Sequence, residues 1–368
     1  MKKIPYKRIV VKVGSSLIIG EGGHVRKNWL ATLAADIAAL KKNGSEVIVV
    51  TSGAVALGRS AMGYGLRALE LEEKQAAAAC GQAPLLAAWS EAFGSSMSPA
   101  LVLLTADDST DRRRYLNARN TLDTLLAQSN VIPLINENDT VATAEIRFGD
   151  NDRLSARVAQ MAGADLLVLL SDIDGLYSAD PRKNAQAEFI AEVASITPEI
   201  EAFAGGAGSD VGSGGMITKI AAAKIAVGAG CSMVIARGLD HHPLNRLFEG
   251  GKHTRFTASL SPLSARKNWI AGDMHPAGAV VVDDGAAKAL GQGKSLLPAG
   301  VTATRGSFQR GDTVAIIDVQ GRVLGKGLIA YDSADANIII GKHSREFEAL
   351  LGFKGRDVLI HRDDMVLD

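Results

Sequence analysis

The chain has 368 residues, enough for two domains of ordinary size, and its 40 Lys and Arg balance 40 Asp and Glu to a formal net charge of zero. A zero balance argues against a chain devoted to nucleic acid or to an anionic membrane, and 47% hydrophobic with 22% charged residues is typical of a globular protein rather than a disordered one. Because two cysteines cannot crosslink such a chain, no apolar run reaches the length of a membrane span, and the first residues do not form a signal peptide, we expect a cytoplasmic enzyme.

Up to about residue 250, short β-branched segments alternate with longer Ala- and Leu-rich segments of helical character. The predicted strands are Arg8–Val13, Glu46–Thr51, Ala100–Leu104, Val131–Ile135, Leu166–Ser171 and Ser232–Ala236. The predicted helices are Asn28–Asn43, Leu71–Phe93, Tyr115–Ser129, Asp152–Ala162 and Met216–Gly228. Several strands are apolar on both faces, as strands covered by helices on both sides are. The pattern predicts an α/β fold, a three-layer αβα sandwich with a mainly parallel sheet, and ligands at the carboxyl ends of its strands.

The alternation stops near Gly250. Residues 251–275 carry an excess of Lys and Arg with interspersed Ser and Pro, and we interpret them as a linker with irregular structure. From residue 276 to 368, short strands separated by turns predict a small β-rich domain that ends in a helix, Ser344–Leu351, and a strand, Asp357–His361. The predicted organisation is therefore a domain at 1–250, a linker at 251–275 and a domain at 276–368.

Polar and glycine-containing motifs follow the first two predicted strands. Lys12 lies near the end of the first strand, and Gly14 with two serines follows, so that backbone N–H groups and a full positive charge could meet an anion. An ordinary turn is the alternative. Ser52 and Gly53 follow the second strand in the same way, and there the alternative is a simple helix N-cap.

Two further motifs are rich in carboxylates and amides. The segment Asn136–Asp139 follows an apolar strand and suits a zwitterionic ligand, with Asp139 receiving an ammonium group. The segment Asp150–Asp152 precedes a helix, and it could hold a metal, cap the helix or orient lysines that would otherwise repel one another.

The last two motifs suit a nucleotide. Ser171 and Asp172 end another apolar strand and could line a base or a ribose. The segment Gly212–Gly215 precedes a helix that carries Lys219, which combines free N–H groups, a helix dipole and a cation as a phosphate cradle does. A flexible loop that enters a helix remains the alternative. The histidines have no metal-ligand spacing, and the GxSxG, CxxC and GxGxxG motifs are absent from the sequence.

Taken together and in order, the segments VVKVGSS, TSGAVALG, INENDTV, FGDNDRLSA, SDIDGLYSADPR and GSGGMITK resemble the amino acid kinase family over roughly residues 8–240. The resemblance is strongest to members that act on L-glutamate, and the tail from Pro276 resembles a PUA domain, a small β barrel. It implies transfer of the ATP γ-phosphoryl group to the side-chain carboxylate of L-glutamate. The product is L-glutamyl 5-phosphate, which begins proline biosynthesis. It also implies Mg²⁺ that is carried by ATP, with no metal assigned to protein side chains.

The resemblance further implies residue roles. Lys12 and Lys219 would stabilise the charge in direct in-line transfer, and Asp152 would hold the two lysines in place. The residues implied to bind glutamate are Ser52, Asn136, Asp139 and Asn151. The residues implied to bind ATP are Lys12, Ser171, Asp172, Ser213, Gly214, Gly215, Met216, Ile217, Thr218 and Lys219.

The sequence also raises expectations about regulation, assembly and other functions. The resemblance implies inhibition by L-proline, assembly into dimers or tetramers, and a glutamyl-phosphate reductase as a candidate partner for the labile product. Acetylglutamate, aspartate or uridylate kinases of the same fold are alternatives, as is an RNA-binding protein, because PUA domains are best known from such proteins. Residues 276–368 carry 11 Lys and Arg against 12 Asp and Glu, whereas an RNA-binding domain usually has a basic excess, so RNA binding is disfavoured.

Overall fold

The computed structural model describes residues 4–141, 150–204, 215–273 and 275–367. Its internal contacts divide the chain into two compact units. The first unit comprises the residues up to Ser109 together with Ala118–Pro262, and the second comprises Thr110–Asn117 together with Leu263–Asp368. The domain bounds at 250 and 276 stay predictions.

The N-terminal elements alternate between strands and helices. The strands are β1 Arg8–Val13, β2 Glu46–Thr51, β3 Ser98–Leu104, β4 Val131–Glu137, β5 Leu166–Ser171, β6 Leu176–Tyr177, β7 Phe189–Ile190, β8 Glu192–Val193, β9 Ser232–Arg237 and β10 His253–Phe256. The helices are α1 Ser15–Ile18, α2 Lys27–Lys42, α3 Ala54–Ala61, α4 Leu71–Phe93, α5 Arg112–Leu126, α6 Asn151–Ala162, α7 Pro198–Ala202, α8 Met216–Gly228 and α9 Pro243–Phe248.

A large sheet organises the first unit. In the described residues its strand order is β3-β4-β2-β1-β5-β9-β10-β8, and the pairs from β3 to β9 are all parallel. Strand β10 is antiparallel to β9. The strand that follows β1 in sequence, β2, pairs with one edge of β1, whereas β5 pairs with its other edge. The direction in which strands are added to the sheet therefore reverses at β1. Such a reversal leaves a crevice at the carboxyl ends of the strands.

Helices cover both faces of this sheet. One face packs against α2, α4 and α9, and its strand residues alternate with period two, as Ile9, Val11 and Val13 of β1 show. The residues between them, such as Val10 of β1, are equally buried, and α6 and α8 contact the same strands. This arrangement confirms the predicted three-layer αβα sandwich with a mainly parallel sheet. Among the described residues, no helix is both long and apolar enough to cross a membrane.

Helices α3 and α4 approach so closely that only glycine fits at their contact. A methyl group added at Gly58 would overlap the carbonyl oxygen of Ala77, and one added at Gly81 would overlap that of Ala54. Since neither obstacle is a flexible side chain, the two backbones would have to separate. The contact at Gly81 packs the first residue of α3, Ala54, directly against α4.

We expect Gly58→Ala to lower the free energy of unfolding by about 1–3 kcal/mol, because overpacking forces the backbones apart. The matched control is Gly228→Ala at the end of α8, where none of the described atoms lies within 4 Å of the added methyl. The control should be neutral or stabilising by less than about 1 kcal/mol. Urea denaturation compares the two variants, and equal stability would contradict the proposed steric cause.

The second unit is β-rich. Its elements are α10 Pro262–Ala271, β11 Gly278–Val282, α11 Asp284–Gly291, β12 Val301–Gly306, β13 Thr313–Asp318, β14 Val323–Leu328, α12 Ser333–Ile339, α13 Phe347–Leu351 and β15 Met365–Leu367. In the described residues its strands form a sheet in the order β12-β11-β13-β14-β15. A separate apolar core, with Phe308 and Phe347 among its largest buried side chains, supports this sheet. The predicted β-rich C-terminal region is confirmed.

Beyond small shifts at the ends of elements, two predicted segments differ in kind from the structure. Residues 251–275 are not irregular throughout, because β10 extends the large sheet and α10 follows it. The predicted strand Asp357–His361 is wrong: Ile360 forms an isolated bridge with Leu296, and the last strand is β15. The residue pattern of this segment does not distinguish an isolated bridge from a strand.

Candidate active site

A cavity of about 730 Å³ lies at the carboxyl ends of β1, β2, β4 and β5, where the strand order reverses. Its lining combines small residues, amides and charged side chains. The predicted site residues that line it are Lys12, Ser52, Asn136, Asp139, Asn151, Asp152, Ser171, Asp172 and Lys219. Since these residues come from segments up to 207 positions apart, the fold brings together what the sequence disperses.

Asp152 lies between two lysines at this cavity. Its Oδ1 is 2.7 Å from Lys12 Nζ, and its Oδ2 is 3.1 Å from Lys219 Nζ. The Thr218 hydroxyl lies 2.8 Å from the same Oδ2. Lys12 comes from β1, Asp152 from the first turn of α6, and Lys219 from the second turn of α8. One carboxylate thus fixes two ammonium groups from two other elements.

The electrostatics of this triad leave a positive charge for a ligand. Burial opposes ionisation of Asp152, but the charges of Lys12 and Lys219 outweigh it and hold its pKa at about 2. The exposed fractions of Lys12, Asp152 and Lys219 are 9%, 2% and 6%. Two ammonium groups against one carboxylate give a net charge of +1 in a shielded position, which suits polyphosphate oxygens.

Amide side chains form a second cluster at the cavity. Asn151 Nδ2 donates to the Thr51 carbonyl at 2.9 Å, and it lies 2.6 Å from Ser52 Oγ and 3.3 Å from Asn136 Oδ1. Asn136 Nδ2 donates to Gln82 Oε1 of α4 at 3.2 Å. Asn151 Oδ1 is buried and has no hydrogen-bond partner among the described residues. A buried acceptor in this state calls for a donor from a ligand or from water.

Two carboxyl groups face the cavity beside these amides. Glu137 and Asp139 are 8% and 7% exposed, and both line the cavity. Burial, together with the charge of Glu137, raises the pKa of Asp139 from 3.8 to about 7. A cationic ligand beside these groups would remove the repulsion and favour the ionised form of Asp139. An amino acid ligand would supply such a cation as its α-ammonium group.

The remaining predicted residues are those expected to bind the nucleotide. Ser171 Oγ donates to Asp172 Oδ1 at 3.0 Å at the end of β5. Gly215 is the N-cap residue of α8, and Met216 and Ile217 begin that helix with partly exposed side chains. Ser213 and Gly214 lie outside the described residues. The roles assigned to all these residues stay predictions.

Sequence reasoning omitted several residues of the lining from the predicted site. Glu137 lies inside the Asn136–Asp139 motif, and Gly14 with its two serines follows β1, so the sequence pattern points to both. Arg59 and Lys74 also line the cavity. Lys74 lies on α4, far from any motif, and only the packing of α4 on α3 brings it to the site.

The donor set also tests whether a metal ion fits. Among the described residues, no group of three or more His, Cys, Asp or Glu side chains is placed to hold a metal. Both oxygens of Asp152 already face ammonium groups. That Mg²⁺ reaches this cavity on ATP phosphate oxygens stays a prediction.

Comparison with known proteins decides the family. The sequence profile of the amino acid kinase family matches residues 7–237, which is more than half of the chain. The chain belongs to the amino acid kinase family. A PUA domain profile matches residues 278–351 of this amino acid kinase, where the β-rich sheet lies.

Full-length relatives of this amino acid kinase carry a common name. The glutamate 5-kinase of Paramagnetospirillum magneticum is 59% identical over 364 residues, which cover 98% of this chain and 98% of that protein. The glutamate 5-kinases of Sinorhizobium fredii and Agrobacterium fabrum are each 55% identical over 363 residues, which cover 98% of this chain and 92% and 93% of those proteins. The predicted resemblance to glutamate 5-kinases is confirmed.

Proposed function

We propose that this chain transfers the γ-phosphoryl group of ATP to the side-chain carboxylate of L-glutamate, which yields L-glutamyl 5-phosphate and begins proline biosynthesis. The observation that carries the proposal is the Lys12–Asp152–Lys219 triad in the same cavity as the buried carboxyl groups of Glu137 and Asp139. The names of the full-length relatives support it.

The chemistry needs positioning and charge neutralisation more than proton transfer. The side-chain carboxylate of glutamate has a pKa near ~4.3, so it is already ionised at neutral pH and needs no general base. Lys12 and Lys219 offset the repulsion between this carboxylate and the phosphates, and Asp152 keeps the two ammonium groups apart at fixed positions. Mg²⁺ bound to the ATP phosphates would neutralise further charge on the transferred group.

The carboxyl pair selects among related substrates. A free α-ammonium group complements the buried Glu137 and Asp139, whereas the neutral amide of N-acetylglutamate would leave their charge uncompensated. Aspartate carries the ammonium group but is one methylene shorter, so its carboxylate would stop short of the phosphate when the ammonium group is seated. We therefore favour glutamate over both.

Further parts of the proposal concern regulation and partners. L-proline carries a carboxylate and a secondary ammonium group, so it can compete for the same carboxyl pair, and we propose that it inhibits at or overlapping the glutamate site. We also propose a cytoplasmic homo-oligomer, a dimer or a tetramer, whose labile acyl phosphate passes to a glutamyl-phosphate reductase. The near-neutral charge of residues 276–368 favours a structural or regulatory role for this region over RNA binding.

The test is phosphoryl transfer with Mg²⁺ and ATP, with the acyl phosphate trapped by hydroxylamine. L-glutamate, N-acetylglutamate and L-aspartate are compared, each with and without L-proline. We expect hydroxamate from glutamate alone and suppression of it by proline. Product from N-acetylglutamate or aspartate, or none from glutamate, would overturn the substrate assignment.

A further inference from the structure

Lys252 joins a compact cluster beside the nucleotide side of the cavity. Its Nζ donates to Tyr177 Oη at 2.8 Å and lies 3.3 Å from Asp174 Oδ2. Tyr177 Oη in turn donates to Asp174 Oδ1 at 2.9 Å, so the three side chains form a closed ring of hydrogen bonds. The ammonium group also lies over the rings of Tyr177 and Phe189, at 5.0 and 4.3 Å from their centroids.

Thr254, two residues after Lys252, anchors the hairpin that contains Tyr177 and Phe189. Thr254 is fully buried on β10, and its Oγ1 accepts from the N–H of Leu176 at 2.7 Å and donates to the carbonyl of Ile190 at 2.5 Å. Leu176 and Ile190 pair with each other across the β6–β7 hairpin. A methyl group added at Gly175 would meet Thr254 and Phe189 at 2.5 and 2.7 Å, so the turn before the hairpin is tightly packed.

This cluster adjoins residues that line the cavity. Ser171 and Asp172 line it at the end of β5, and Asp174 follows two residues later on the same turn. Lys252 precedes β10, which is antiparallel to β9, so it lies at the edge of the sheet where β5 ends. The ring therefore holds the far end of the turn that presents Ser171 and Asp172.

We propose that Lys252 is a positioning residue for ATP: by fixing Asp174 and Tyr177, it holds the Ser171–Asp172 turn in the geometry that the nucleotide meets. This inference rests on the function proposed above. It assigns Lys252 no contact with the reacting atoms. The amino-acid side of the cavity comes from β2, β4 and α6, and no member of the ring belongs to those elements.

Because the Lys252 cluster is separate from the amino-acid side of the cavity, its loss should affect ATP binding more than glutamate binding. Lys252→Met keeps much of the aliphatic side chain over the aromatic rings of Tyr177 and Phe189. It removes the ammonium group that joins Tyr177 and Asp174. Loss of one charge-assisted network of this kind should raise the KM for ATP about five- to tenfold, with the KM for glutamate changed less than about twofold. Lys252→Arg, which can still donate to Tyr177 and Asp174, should restore most of the ATP affinity.

The experiment measures both KM values and kcat by hydroxamate formation. The dissociation constant of a non-hydrolysable ATP analogue with Mg²⁺ is measured by calorimetry on the same preparations. Lys183→Met is the matched control, because Lys183 is an exposed lysine in the segment between β6 and β7. Tyr177→Phe is the second variant, since it removes the bridging hydroxyl and keeps the aromatic ring. It should show the same selective rise in the KM for ATP.

The outcomes separate this inference from the proposed function. If the unaltered protein makes no hydroxamate from glutamate, the proposed function fails. If it does, but Lys252→Met and Tyr177→Phe bind the analogue as tightly as Lys183→Met, the inference fails alone. Equal increases in the KM for ATP and for glutamate would also overturn it, because they would show a general loss of structure.

Discussion

Replacing Lys219 by alanine should lower kcat about 10²–10³-fold while the KM for glutamate changes only a few-fold, because the lost charge acts on the phosphoryl group in transfer. Lys219 is 6% exposed, and its ammonium group is held 3.1 Å from Asp152 Oδ2. Water cannot replace such a fixed charge without reorganising. Steady-state kinetics with varied glutamate and saturating ATP give the two parameters separately.

The control for this variant lies on the same helix. Lys224 of α8 is half-exposed and pairs with Glu201 at 2.7 Å on the surface. Lys224→Ala should keep the full kcat, since exposed pairs contribute little even to stability, about 0–1 kcal/mol. A Lys219→Ala variant that keeps its fold and its turnover would remove Lys219 from the mechanism.

Asp152→Asn distinguishes a fixed triad from two independent lysines. Without the carboxylate, Lys12 and Lys219 lose the partner that holds them, so turnover should fall although both charges remain. Because the three residues act as a unit, the double variant with Lys219→Ala should lose much less than the product of the two separate losses. Multiplicative losses would show that Asp152 has a role apart from positioning the lysines.

The sheet was predictable because its strands are buried on both faces. Stretches such as Ile48–Val50 of β2 and Leu167–Leu170 of β5 are wholly apolar, and short runs of that composition are typical of strands between two helical layers. Helix α4 was predicted with both ends correct, from Leu71 to Phe93. Helix α8 was also predicted with both ends correct, from Met216 to Gly228. Helices α2, α5 and α6 begin one to three residues earlier than predicted, because helix ends depend on caps that periodicity does not report.

The site was predictable only in part, because sequence motifs mark the strand ends but not the contacts between distant segments. Parallel strands place their carboxyl ends at one edge, so polar residues after β1, β2, β4 and β5 were expected to meet there. Lys252 illustrates the limit. It lies in a segment interpreted as a linker, and its partner Asp174 is 78 residues away, so only the antiparallel return of β10 brings it to the same edge. Local patterns do not encode a contact of that kind.

The KM for glutamate should fall about tenfold between pH 6 and pH 8, because ionisation of Asp139 creates the charge that binds the α-ammonium group. Burial and the charge of Glu137 raise the pKa of Asp139 to about 7, so the group is mostly neutral at pH 6 and mostly ionised at pH 8. Asp152, whose pKa is about 2, stays ionised throughout this range. Calorimetric titration with glutamate in the absence of ATP isolates the effect from the ionisation of the nucleotide.

Asp139→Asn is the matched variant for this pH dependence. It keeps the size of the side chain but cannot ionise, so it should bind glutamate weakly at pH 8 and with an affinity that hardly changes between pH 6 and 8. Stability should respond in the opposite sense. Because the folded-state pKa of Asp139 lies above its ordinary value of 3.8, the unliganded protein should lose stability as pH rises from about 4 to about 7, and the variant should not lose this contribution. If the variant keeps the pH dependence of glutamate binding, the titrating group is not Asp139, and the ammonium site must be sought elsewhere in the cavity.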